Sequence, residues 1–275
     1  MKVIISHDVD HIDAMDHLFK DLILEKLIVR SFIQFIKGKI GLKTFLYRST
    51  VFFHKRMHRI DEVMEFDRKH NIPSVFFFGM SNVLGMSYSQ EKAKTLIKKV
   101  SNNGFDVGVH GCDFQNVISI KKEHDDFEMI SGIKEFGIRN HYVRFDDETF
   151  LKMHQVGYLF DSTYYNKQKT ELINPYKVGV MWEFPLHIMD GYVCKQGMLE
   201  EGLKETYRLI REAEMKGIKY CTILFHDYQY DDAFDPERKQ WYEKTIRFCE
   251  DNEYEFISYR EAIKELENEN VNVCE

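Results

Sequence analysis

Val3-Ile4-Ile5-Ser6-His7-Asp8-Val9-Asp10 opens the chain as an apolar, β-branched run that stops on acidic residues. A run of this kind reads as a strand covered on both faces, as in a parallel sheet wrapped by helices. Residues 8 and 10 are two apart, so on a regular strand both carboxylates face the same side. Burying an imidazole and two acids in succession is costly, and the cost is tolerated where such groups do chemistry. The far end of the chain repeats the pattern, with Thr222-Ile223-Leu224-Phe225 closing on His226-Asp227. The two stretches together predict an enzyme whose site is built on strand ends.

Working outward, apolar or β-branched runs recur at 74–78, 106–110, 142–145, 158–160, 181–186, 221–226 and 255–258. Charged stretches with helical periodicity lie between them, at 91–102, 121–136, 148–155, 198–216 and 236–251. Gly104, Gly137 and Gly217 stand where a left-handed residue would close a helix. This alternation predicts a parallel sheet flanked by helices, either an open doubly wound sheet or a barrel. Candidate site residues follow several separate strands: Asp8 and Asp10, then His110, Arg144, Asp161 and His226. A barrel mouth gathers all of them, whereas an open sheet gathers only those beside its switch point, so the barrel is the expectation.

A chain of 275 residues with 44% hydrophobic composition has ample material for a core, and the reading is of one domain over 1–275. The net charge of −7 leaves no basic face over the whole chain for nucleic acid. Cys112, Cys194, Cys221, Cys249 and Cys274 lack metal-type spacing and read as reduced core residues. Met1-Lys2 runs directly into the first strand, and the apolar runs fall far short of the roughly 20 residues needed to span a bilayer. A soluble, cytoplasmic protein is therefore expected.

The ordered set of motifs resembles the polysaccharide deacetylases of the NodB-homology type, carbohydrate esterase family 4. His7-Asp8-Val9-Asp10 is similar to the first motif, Val107-Gly108-Val109-His110-Gly111 to the second and Val143-Arg144-Phe145-Asp146 to the third. Phe160-Asp161-Ser162-Thr163 resembles the fourth and Leu224-Phe225-His226 the fifth. The resemblance implies a distorted (β/α) barrel of about seven parallel strands, a bound divalent metal with zinc the expected ion, and removal of acetyl groups from N-acetylated sugars. It further implies that Asp10 and His110 hold the metal, that Asp8 accepts the proton of an activated water, and that Arg144 pairs with Asp8. His226 would donate a proton to the departing amine, with Asp161 holding its tautomer. An Asp pair at a strand end can equally cap a helix, and Arg144 can equally pair with Asp146 or Asp147.

The second motif of that family carries another metal-binding histidine four residues on, and position 114 here is Phe. His141, Asp113 and His11 are the nearby substitutes, and His141 is favoured because Asn140-His141-Tyr142-Val143 leads into the arginine of the third motif. A barrel that binds saccharide without hydrolysing it, and a hydrolase of another amide or of a phosphoester, stand as alternatives. Trp182, Glu183, His187, Asp190, Tyr164-Tyr165 and Tyr228-x-Tyr230 are candidates for sugar contact.

Between Lys20 and Arg59 the sequence holds ten Lys or Arg against only Asp21 and Glu25, mixed with Ile, Phe, Leu and Val at near-helical spacing. This reads as a basic helical insertion, spanning about 14–60, after the first strand. Such a segment can rest on anionic lipid as a peripheral membrane contact, grip the phosphates of a carrier-linked sugar, or pack on the barrel or a second subunit.

Overall fold

A computed structural model describes residues 1–17, 22–54 and 56–272; Lys20, Asp21 and Lys55 of the basic stretch, and Cys274, lie outside the described residues. In chain order the elements are β1 (Lys2–Val9), α1 (Ile23–Ile36), α2 (Leu42–Ser49), α3 (Ile60–Lys69), β2 (Val75–Phe78), α4 (Gln90–Asn102), β3 (Asp106–Gly111), α5 (Val117–Ser131), β4 (Ile138–Asn140) and α6 (Thr149–Val156). They continue as β5 (Phe160–Asp161), β6 (Tyr176–Val178), β7 (Met181–Glu183), β8 (Ile188–Met189), α7 (Asp190–Val193), α8 (Leu199–Met215), β9 (Tyr220–Leu224), α9 (Pro236–Asp251), β10 (Glu255–Phe256) and α10 (Tyr259–Asn272). Pro236 opens α9 with its missing N–H where none is needed, and Asp235 caps it by accepting from the Arg238 N–H.

The sheet order is β6-β7-β5-β4-β3-β2-β1-β9-β8, with β10 against the start of β1, and every pair except β6–β7 is parallel. One continuous stretch forces this sheet to curl. Glu183 ends β7 and Ile188 begins β8, and the five residue steps between them reach at most about 18 Å. In a flat sheet the two strands would stand seven spacings apart, roughly 34 Å. The result is the distorted, mostly parallel barrel expected, left without a closing ladder of hydrogen bonds.

Strand alternation divides the core. Val3, Ile5 and Val9 of β1 join the large apolar cluster beneath the helices, while Ile4 joins Val75, Phe77, Phe160, Phe184 and Tyr259. Phe77 on β2 and Phe160 on β5 are three strands apart, yet their rings meet at 6.3 Å, so this second cluster fills the inside of the curl. Even-numbered residues of β1 face inward, and the next in line are Asp8 and Asp10. His7 faces the helices instead: its Nε2 lies 2.9 Å from Asp67 Oδ2 on α3, and Tyr242 on α9 donates to Asp67 Oδ1 at 2.6 Å.

Register then sets one rim. Ser6 aligns with Leu224, and Val9, Phe78, Val109, Ile138, Asp161 and Glu183 form one row. Asp10, His110 and Arg139 stand one residue beyond this row, and His226 follows β9 two residues past Leu224, level with Asp8. Two expected elements differ. The run at 142–145 is not a strand, because Tyr142 and Val143 take φ of 59° and 45°; the fourth strand is Ile138–Asn140, whose single apolar residue gives no periodic signal. The helix expected to reach 136 stops at Ser131, closed by Gly132 at φ +74°. The basic insertion folds as α1 and α2 and docks on the loop before α9, where buried Arg48 donates to the Phe234 carbonyl at 2.7 Å and lies 3.3 Å from Asp235.

Candidate active site

Three donors converge at the rim. Asp10, His110 and His141 present ligand atoms within 4.8 Å of one another, the group of this kind found among the described residues. Each imidazole has its tautomer set from behind. His110 Nδ1 donates to the Arg139 carbonyl at 2.9 Å, and His141 Nε2 to the Leu84 carbonyl at 3.1 Å. Their remaining nitrogens, His110 Nε2 and His141 Nδ1, face each other at 3.0 Å and lie 3.2 and 3.3 Å from Asp10 Oδ1. Asp10 Oδ1 is buried with no hydrogen-bond partner. Lone pairs aimed at one point without a donor among them fit a cation. Burial would push the Asp10 pKa up, but the imidazoles of His141, His110 and His226 hold it well below the usual carboxylate range. Burial likewise opposes charge on His110, and Asp8 and Asp10 outweigh it, so protons and a cation compete for the same set.

His141 occupies this place through strained backbone. Tyr142 and Val143 follow it in the left-handed region, which for a β-branched residue costs on the order of 1–3 kcal/mol. Gly85 approaches from the other side at φ +93°, and a side chain there would meet His141 Nε2 at 3.1 Å. The other two substitutes are engaged elsewhere. His11 Nδ1 lies 2.9 Å from His17 Nε2, and Asp113 Oδ1 accepts the backbone N–H groups of Gln115 and Asn116. Phe114 packs beneath the Arg144 guanidinium, 5.4 Å from its ring centre.

Asp8 sits behind this cluster, with Oδ2 3.7 Å from His110 Nε2. Its expected partner does not reach it. Arg144 instead donates to the carbonyls of Cys112 and His141. Arg139 takes that place, with Nη1 3.0 Å from Asp8 Oδ1. Arg139 lies within β4, opposite His110, so it points into the barrel, whereas the chain has left the sheet before Arg144. The buried guanidinium also donates to the Ser162 carbonyl, Ser162 Oγ and Tyr259 Oη and lies over Phe77. The polar center of Ile138-Arg139-Asn140 was the available signal, masked by the closer likeness of Val143-Arg144-Phe145 to a motif.

His226 approaches from the other side, Nε2 3.7 Å from Asp10 Oδ2. Asp161 does not hold it. Asp190, at the start of α7, lies 2.9 Å from His226 Nδ1 and accepts the His226 backbone N–H at 2.7 Å. Burial would lower the His226 pKa, but the Asp190 carboxylate outweighs it and pushes it up to about 10. β8 and β9 are in-register neighbours, and this brings residue 190 beside 226. Asp161 pairs across β5 and β7 with Glu183, its register partner. Burial raises both pKa values, and for Glu183 the Asp161 charge raises it further.

A cleft of about 320 Å³ opens over Asp10 and His141, walled by Tyr142, Tyr228 and Phe234 and by Lys26 and Arg30 of α1. Of the other sugar-contact candidates, Tyr164 and Tyr165 line a neighbouring depression with Arg144. Trp182 and Tyr230 are core residues, and His187 is buried against Thr222 and the Ile173 carbonyl.

No family model matches the sequence, and no curated protein matches it. Solved structures do. A protein from Mycobacterium smegmatis described as a polysaccharide deacetylase superposes with TM-score 0.64 at 13% identity, covering 98% of this chain and 91% of that one. PuuE allantoinase gives 0.61 at 13% identity, covering 96% and 88%. A protein from Pseudomonas aeruginosa PAO1 described as a polysaccharide deacetylase gives 0.58 at 12%, covering 95% and 88%. The chain has the fold of the polysaccharide-deacetylase barrel.

Proposed function

We propose that this protein is a metal-dependent hydrolase that removes N-acetyl groups from a saccharide, with Asp10, His110 and His141 holding a divalent ion, zinc the expected one. The observation that carries the reading is the convergence of two tautomer-fixed imidazoles on an unpartnered carboxylate oxygen. A bound divalent ion supplies Lewis-acid activation of water at neutral pH. Asp8, clamped by Arg139, accepts the proton of that water as its oxygen adds to the acetyl carbon. His226, held as imidazolium by Asp190, gives its Nε2 proton to the amine as the C–N bond breaks, leaving acetate and the free amino sugar. Arg139 and Asp190 are positioning residues. The donor set is complete without a histidine at 114, which supports catalysis over a saccharide-binding role. An intracellular saccharide precursor is the proposed substrate source.

The test is acetate release from N-acetylglucosamine oligomers by metal-loaded protein. Release abolished by Asp8→Asn, with ion binding retained, supports the reading. No release at any divalent ion overturns it, and turnover of allantoin in its place would move the assignment to another amide.

A further inference from the structure

Beside the catalytic cleft lies a second, larger groove of about 690 Å³, between α1 on one side and the 191–196 segment with Arg238 on the other. Its floor carries the apolar side chains of Leu22, Val29 and Ile33. Its walls carry Lys26, Arg30, Lys37, Lys39 and Lys195, and none of these five makes an ion pair with a described residue. The arginines Arg48, Arg56 and Arg59 of the same insertion are by contrast matched, by Asp235, by Asp61 and Glu62, and by Asp231. Glu25 is the groove's one acidic residue among the described residues. Five unmatched cations around an apolar floor complement a ligand with a compact anionic group and a hydrocarbon portion.

Lys26 and Arg30 line both this groove and the cleft over Asp10, so the two adjoin along α1. Among the described residues the groove has no aromatic lining residue on which a nucleobase could stack, and this favours a hydrocarbon chain over a nucleotide. The groove's own Val29 and Ile33 continue into more of the same surface along α1. Val29, Phe32, Ile33 and Ile36 recur at helical spacing along α1 and are 61%, 53%, 47% and 67% exposed. An apolar stripe bordered by cations is the pattern of a helix lying in the interface of an anionic membrane.

We propose that this groove holds the phosphate and adjoining hydrocarbon of a lipid-linked saccharide, α1 resting on the anionic membrane that carries it, so that the sugar reaches the cleft over Asp10. The inference rests on the deacetylase reading for the fate of the sugar, and its test does not. The full chain is sedimented with vesicles of phosphatidylcholine alone and of phosphatidylcholine mixed with phosphatidic acid, with dodecyl phosphate, inorganic phosphate or uridine diphosphate as soluble competitors. Binding to the mixed vesicles only, relieved by dodecyl phosphate and not by inorganic phosphate, is expected. Lys37→Gln with Lys195→Gln is expected to weaken it roughly thirtyfold, two cations near an anionic surface being worth about fivefold each, with an unchanged melting temperature as the control for folding. Ile33→Glu, which keeps the cations, is expected to weaken it as well. Equal binding to neutral vesicles, no vesicle binding, indifference to both variants, or competition by uridine diphosphate or inorganic phosphate overturns the proposal. Acetate release from soluble oligosaccharide by the unaltered protein reports separately on the reaction, so either idea can fail alone.

Discussion

Asp8 and Asp10 share one face of β1, yet their neighbours divide their tasks: Asp10 meets imidazole lone pairs and Asp8 meets a guanidinium. Asp8→Asn is expected to lower acetate release by about 10²–10⁴-fold, the range for a lost general base, with ion affinity retained by calorimetry. His141→Ala should instead abolish stoichiometric ion binding, since it removes one of three donors. The two arginines separate in the same way. Arg139→Met leaves Asp8 buried without its partner and is expected to cost about 3–5 kcal/mol in urea unfolding. Arg144→Ala removes hydrogen bonds to two carbonyls at a partly exposed position and should cost no more than about 1–2 kcal/mol.

At the scale of elements, β5 and β7 are joined through two buried acids. Burial raises both pKa values, and Glu183 is raised well above 4.5 by burial together with the Asp161 charge. The folded state therefore keeps a proton that the unfolded chain gives up near pH 4.5. Stability from this pair is complete below that pH and is lost as pH rises toward the folded pKa of Glu183. Urea midpoints of the native protein should fall across that window, and Glu183→Gln, whose amide can donate to Asp161, should flatten the fall. An unchanged slope would show that the pair shares no proton. Element boundaries follow the same physics. The amphipathic helices were readable because one face is buried and the other wet, and α9 begins and ends where its cap and periodicity place it. β4 was not, since a three-residue strand with an inward arginine carries no alternation to read.

For the whole molecule, a ligand bound only by the folded state stabilises it, by about 2.7 kcal/mol at a hundredfold excess over Kd. Zinc should raise the melting temperature and a chelator reverse it; the effect is expected to persist in Asp8→Asn and vanish in His141→Ala, as followed by scanning calorimetry. The sequence by itself determined the alternation of strand and helix, the three strand ends that carry Asp8, Asp10, His110 and His226, and the basic insertion, because each is written in local periodicity and composition. Only the tertiary structure decided which side chains complete the site. Arg139 supplants Arg144 because inward direction depends on strand register, and Asp190 supplants Asp161 because β8, which leads into residue 190, pairs in register with β9, which leads into residue 226. Charge and spacing along a chain name the candidates, but the neighbours of a buried group are set by which distant strands lie in register with its own.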